Sequence, residues 1–236
     1  WNGGIYEVHY RSLTFYTSKY WVRKLQFEHL LAPDDPARAG VSDPPEMVVV
    51  NVQDDATIDF LGNMLIISLR SDWTVAGTTY KQGSVLVTDA DAFLFKGSAD
   101  KAEFTLMFEP TERTAYEYYT ATKNYLILST MDNVKSKLQF FQIVNGTKLV
   151  PLGTPPEAQI RDCSVRPVDP YAGSDEFWFT KSDYVTPSTL FLADATKTKD
   201  SSQPDSFVTE ELKSLPPQYD ASNLVVEQRT AVSKDG

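Results

Sequence analysis

Three times along the chain an apolar run is followed by an Asp and then by a second apolar run. This repeat limits the possible folds more than any other feature of the sequence. The first copy is Leu65-Ile66-Ile67-Ser68 with Asp72 and residues 83–87. The second is Tyr125-Leu126-Ile127-Leu128 with Asp132 and residues 137–141, and the third is Phe177-Trp178-Phe179-Thr180 with Asp183 and residues 188–192. The Asp residues are 60 and 51 positions apart. Short β-branched and aromatic runs bounded by Gly, Asp, Ser and Thr read as antiparallel strands joined by tight turns. No helical pattern persists for three turns. The clearest copy, residues 64–89, reads as four short strands that cannot bury their own face, so it needs neighbours of its own kind. Units of roughly 40–50 residues with about four strands each are the signature of β-propeller blades. The expected fold class is therefore all-β, a β-propeller whose blades are four-stranded antiparallel sheets.

Other strands are expected over residues 5–10, 12–16, 20–26, 47–52, 57–60, 103–108 and 115–121, and again over 148–152, 159–166 and 207–212. The hairpin of residues 12–26 is expected to turn at Thr17-Ser18-Lys19 and to be an earlier copy of the repeat without its Asp. Asn2-Gly3-Gly4 reads as a turn. Asn145-Gly146 between two β-prone runs is a strong hairpin signal. Asp89 is placed to cap one short helical turn over residues 89–95. Residues 31–46 hold four prolines and no periodicity, so they are expected to form a long surface loop, and 200–206 a polar one.

With 236 residues, 42% of them apolar, the chain is long enough to bury a substantial core. The net charge of −10 repels phosphate backbones and argues against a nucleic-acid partner. No run of about 18 apolar residues suggests a membrane helix. The only cysteine, Cys163, can make no internal disulfide and no Cys-based zinc site. The chain begins at Trp1 and stops at Lys234-Asp235-Gly236, and is expected to be a piece of a longer polypeptide. The expected compartment is the cytoplasm or the periplasm.

Candidate chemistry is sparse. The recurring Asp72, Asp132 and Asp183 invite a ring of metal-binding carboxylates, but an Asx turn between second and third strands explains them more simply. His9 and His29 are the only histidines, and both read as structural rather than as a triad base. Asp34-Asp35, Asp54-Asp55 and Asp89/Asp91 are carboxylate pairs of the kind that glycoside hydrolysis needs, yet turns account for them equally. Asp89-Ala90-Asp91 lacks the Gly of a calcium loop. Cys163 reads as a small core filler; a reactive thiol would need Arg161 to lower its pKa. Asn145-Gly146-Thr147 is formally a glycosylation sequon. No Gly-x-Ser-x-Gly elbow occurs. No catalytic residue, metal or cofactor is therefore assigned.

Several phrases, in order, resemble the propeller of the prolyl oligopeptidase family of serine peptidases. They are Ser71-Asp72-Trp73-Thr74-Val75, Leu106-Met107-Phe108-Glu109-Pro110, Ala121-Thr122-Lys123-Asn124 and Asp132-Asn133-Val134-Lys135, then Ser182-Asp183-Tyr184-Val185 and the closing Ser233-Lys234-Asp235-Gly236. The resemblance runs from about Ser12 to Gly236 and departs from the family at residues 31–46 and 200–206. It implies a seven-bladed ring of which this chain supplies the C-terminal four to five blades. Residues 1–223 would be the partial propeller, and 224–236 would lead into an α/β-hydrolase domain. That domain and short peptide substrates are the implied partners, and the family's triad would lie beyond Gly236. The alternative is a non-catalytic propeller that binds a peptide or protein. Whether a Gly-x-Ser-x-Gly elbow follows in the parent gene separates the two.

Overall fold

The runs at residues 64–67, 125–128 and 177–179 are apolar at consecutive positions rather than at alternate ones, which is the pattern of a sheet covered on both faces. The computed structural model describes residues 4–96, 102–152, 162–169, 173–199 and 207–234. Arg161, the whole expected loop 200–206 and parts of the expected turn at residues 2–4 and strand 159–166 lie outside them. Four antiparallel sheets follow one another along the chain. The first has three strands, β1 (Ile5–Ser12), β2 (Ser18–Leu25) and β3 (Val48–Val49). The second is ordered β4 (Thr57–Leu61), β5 (Met64–Ser68), β8 (Val85–Asp89), β9 (Thr105–Phe108), with a separate hairpin of β6 (Trp73–Val75) and β7 (Thr78–Tyr80) inserted. The third runs β10 (Thr114–Ala121), β11 (Tyr125–Asp132), β12 (Lys135–Val144), β13 (Lys148–Pro151), and the fourth β14 (Asp162–Pro167), β15 (Glu176–Ser182), β16 (Thr189–Asp194), β17 (Val208–Ser214). These are propeller blades, nearly all β, as expected.

Neighbouring positions on a strand feed different cores. In β5, Leu65 and Ile67 pack toward the first blade with Val22 and Val50, whereas Met64 and Ile66 pack toward the third with Leu126 and Leu128. In β11, Tyr125 and Ile127 turn instead to the fourth blade and join Phe140, Phe177 and Phe179. A side-chain period of two, with both faces covered, turns each blade into a wedge between two cores. The last blade has a neighbour on one face only among the described residues. Phe177 and Phe179 are wholly buried, while Trp178 between them is half-buried.

Three expectations need correction. Residues 64–89 are not one blade: β5 and β8 are its two middle strands, and Trp73 to Tyr80 form the inserted hairpin, which drops Trp73 and Val75 into the first core. The first hairpin is a single pair, β1 with β2, turning at residues 13–17. Leu13, Phe15 and Tyr16 suggested a strand by their apolar character, yet they stand exposed at its tip. The first sheet has three strands in the described residues, not four. The 31–46 loop is present as expected, with one short 3-10 turn at Pro36–Arg38 capped by the Asp35 side chain. Asp89 caps α1 (Ala90–Leu94) by accepting from the Ala92 amide. Asn145 and Gly146 both take positive φ, 53° and 68°, as a type I′ hairpin turn demands.

Polar clasps join the blades. Lys24 Nζ donates to Asp91 Oδ2 at 2.5 Å and Tyr6 OH to its Oδ1 at 2.9 Å, tying the first blade to the second. Burial pushes the Asp91 carboxyl upward, but the hydrogen bonds from Lys24 and Tyr6 outweigh it and leave its pKa below the usual range. A depressed folded pKa stabilises above the unfolded value, near 3.9, and that contribution is lost as pH falls through the folded one. Asp91→Asn should therefore cost stability at pH 7, about 1–2 kcal/mol for a charge-assisted pair at a partly exposed site. The gap to the native chain in urea denaturation should close in acid. A gap that stayed constant down to about pH 2.5 would contradict this.

Candidate inter-blade cleft

The second-to-third strand connections and the links between blades gather at one end of the sheets. Ser18 N–H donates to Asp54 O, Gln53 Nε2 to Asp72 O, Asn133 N–H to Arg113 O and Leu215 N–H to Ser188 O, at 2.6–3.0 Å. On this loop face a cleft of about 1070 Å³ opens between β4–β5 of the second blade and β10 of the third. Ile58, Ile66 and the rings of Tyr116 and Tyr119 form its apolar wall, and Asp59, Arg70, Asp72 and Lys81 its polar one. Gly83 turns at φ 83° beside Pro110; a Cβ there would meet Pro110 Cγ at 3.1 Å, so the cleft rim depends on this glycine.

Three of the four charges are already engaged. Tyr119 OH donates to Asp59 Oδ2 at 2.5 Å across the two blades, Asp72 Oδ1 accepts from Gln82 N–H at 2.7 Å, and Lys81 pairs with Glu109. Arg70 has no hydrogen-bond or ion-pair partner among the described residues. Burial, with Asp59 beside it, pushes the Tyr119 phenol far above its ordinary pKa, and burial does the same more mildly for Tyr116. Both phenols are therefore neutral donors at neutral pH. This arrangement suits binding a chain with apolar and charged groups; it contains no histidine and no activated nucleophile among the lining residues.

The residues singled out from sequence are scattered. Asp183 makes the expected Asx turn, accepting from the Val185 and Thr186 amides, and Asp132 accepts from Asn133 Nδ2. Only Asp72 of the three lines the cleft, and no three His, Cys, Asp or Glu side chains among the described residues are grouped to hold a metal ion. His9 sits on β1 bonded to Glu7, and His29 links Gln26 N–H to Ser42 O. Asp34 and Asp35 lie in the surface loop, Asp54 and Asp55 in the β3–β4 link, and Asp89 and Asp91 at α1. Cys163 is buried on β14, and burial pushes its thiol up to about 12, opposite to a reactive cysteine. Arg70, Tyr116 and Tyr119 were not anticipated. Arg70 adjoins the Ser71-Asp72 phrase, but nothing in the sequence says that it meets β10.

No family model matches the chain. Over 170 residues, 71% of the chain, it is 32% identical to an uncharacterized peptidase of Sinorhizobium fredii, and over 196 residues, 79% of the chain, 30% identical to one of Rickettsia prowazekii. Among solved structures, a post-proline cleaving enzyme from Rickettsia typhi superposes on 97% of the chain with a TM-score of 0.70 at 23% identity. Prolyl oligopeptidase B from Galerina marginata superposes on 98% with a TM-score of 0.58 at 17% identity. The chain has a propeller fold of the prolyl oligopeptidase type. It spans 21% and 24% of the two peptidases' length and 29% and 28% of the two solved chains. Within that propeller, the loop face is also where residues 215–234 run after β17. Tyr219 OH donates to Tyr184 O beside the fourth blade, and Gln228 Nε2 to Asn133 O at 2.6 Å on the third.

Proposed function

We propose that this chain is the propeller part of a prolyl oligopeptidase-like serine peptidase, in which it admits short peptides and carries no catalytic group. Residues 1–223 would form the propeller and 224–236 the segment entering the hydrolase domain. The observation that carries the reading is the coincidence of three features on one face. These are the cleft, the segment of residues 215–234, and exposed apolar tips at Phe15, Tyr16 and Tyr184. Exposed aromatic tips are what a docking surface offers. A domain seated on the tips would leave the cleft facing its active site, so a peptide too wide to pass the loops would be excluded. Arg70, the cleft cation with no ion-pair partner among the described residues, suits a carboxylate of a bound peptide. The cleft lining holds no histidine and no cysteine, which supports a reading in which the bond-breaking groups belong to the other domain.

The test uses the full-length protein that contains this chain. A fluorophosphonate probe should label it at a serine outside these residues, and it should cleave short peptides but spare folded proteins. Labelling mapped to any residue of 1–236 would overturn the non-catalytic role, and a protein that neither reacts nor cleaves would favour a non-catalytic binding propeller.

A further inference from the structure

The turn from β11 to β12 is built from the two residues Asn133 and Val134, both at positive φ, 48° and 68°. Asn tolerates this region, but for a β-branched residue it is a true outlier, because its Cβ crowds the following carbonyl. Val134 is 63% exposed, so burial does not offset that crowding. Strain of this kind persists where the surrounding structure over-determines it, and it points to a role. Here the main chain of Asn133 is engaged on both sides. Its N–H donates to Arg113 O at 2.9 Å, in the link entering the third blade, and its carbonyl accepts from Gln228 Nε2 at 2.6 Å. Gln228 is 95 residues downstream.

The segment that delivers Gln228 is stiff at its root and turned in its middle. Pro216-Pro217 follow β17, a small pocket of about 220 Å³ lies between residues 182–188 and 215–219, and Tyr219 is bonded to Tyr184 O. Asp220 Oδ1 then accepts from Ser222 N–H, and Leu224 N–H donates to Ala221 O, reversing the segment toward the third blade. Adjacent prolines favour an extended, stiff path. The segment is therefore a strap with a root fixed at Tyr219 and a side-chain anchor at Gln228.

We infer that the strained Asn133-Val134 turn is a latch for this strap: it presents the Asn133 carbonyl to Gln228, and loss of that bond loosens residues 221–230 on the propeller face. What the strap would move rests on the reading proposed above; the latch itself does not. The Tyr219 bond and the turn at residues 220–224 keep Gln228 close to its acceptor, so re-forming the hydrogen bond is an intramolecular step.

Hydrogen exchange by mass spectrometry on the full-length protein tests the latch directly, comparing native, Gln228→Leu and Val134→Gly forms. Gln228→Leu should speed exchange over residues 221–230 about fivefold or more and speed tryptic cleavage after Arg229, while β5 and β11 keep their protection. Val134→Gly occupies the same turn without strain, so it should raise the melting temperature and leave strap exchange as in the native protein. Unchanged exchange in Gln228→Leu would overturn the latch, as would equal loosening by Val134→Gly. Loss of the peptidase reading would leave these results intact, since none of them depends on peptide cleavage.

Discussion

Replacing Phe177 by Ala should cost the chain about 3–5 kcal/mol, the range for deleting a buried aromatic side chain from a packed core. Phe177 is fully buried where the third and fourth blades meet. Its ring lies 6.1 Å from that of Phe140 and 5.7 Å from that of Phe207, and Phe179 stands 5.3 Å from Phe207. Two strands, β12 and β15, and the approach to β17 thus contribute to one aromatic cluster, and no single neighbour can collapse into the hole. Urea denaturation should show a lowered midpoint, and thermal melting a drop on the order of 10 °C. Trp178→Ala, one position along on the half-covered face, should cost clearly less. Equal losses at the two positions would mean that the two faces of the last blade are not as differently packed as the structure has them.

The second large effect should come from a carboxylate. Asp175 accepts three hydrogen bonds from the connection between β10 and β11: from Thr122 Oγ1 at 2.9 Å, from Asn124 N–H at 2.8 Å and from Asn124 Nδ2 at 2.7 Å. Its own carbonyl accepts from the Ala195 amide. Thr122 is almost wholly buried, so Asp175→Ala strands a hydroxyl whose alternative, Tyr125 O, is a long 3.4 Å away. Losing a charged acceptor with a buried donor left behind costs about 2–3 kcal/mol. Asp175→Asn keeps one acceptor oxygen and should cost roughly half as much. Exchange of the Asn124 amide should rise in Asp175→Ala; if that amide stays as protected as in the native chain, the clasp is not what holds it.

These two sites differ in how visible they were beforehand. The Phe177 strand announced itself, because a strand covered on both faces is apolar without interruption, and β5, β11 and β15 read that way. Local chemistry was equally legible: Asp89 as a cap, Asn145-Gly146 as a hairpin turn, Asp183 as an Asx turn. What failed was the assignment of short runs whose apolar residues serve something other than a blade. Trp73 and Val75 belong to an inserted hairpin, and Phe15 and Tyr16 to an exposed tip. The cleft and the clasps were not legible at all. Asp59 meets Tyr119 and Asp175 meets Asn124 only because the ring brings separate blades side by side, 60 and 51 residues apart in the chain. No period in the sequence encodes which polar residue of one blade faces which of the next.

The division of each middle strand between two cores also shapes how such a chain can change over generations. Ile66 and Ile67 are neighbours in sequence, yet one answers to the third blade and the other to the first. A substitution at either has its compensating partners on a single adjoining blade, and distant, unshared sites combine additively. Drift in one wedge is therefore insulated from drift in the next, and blades can diverge in composition until their common ancestry is hard to see while the ring between them keeps its shape.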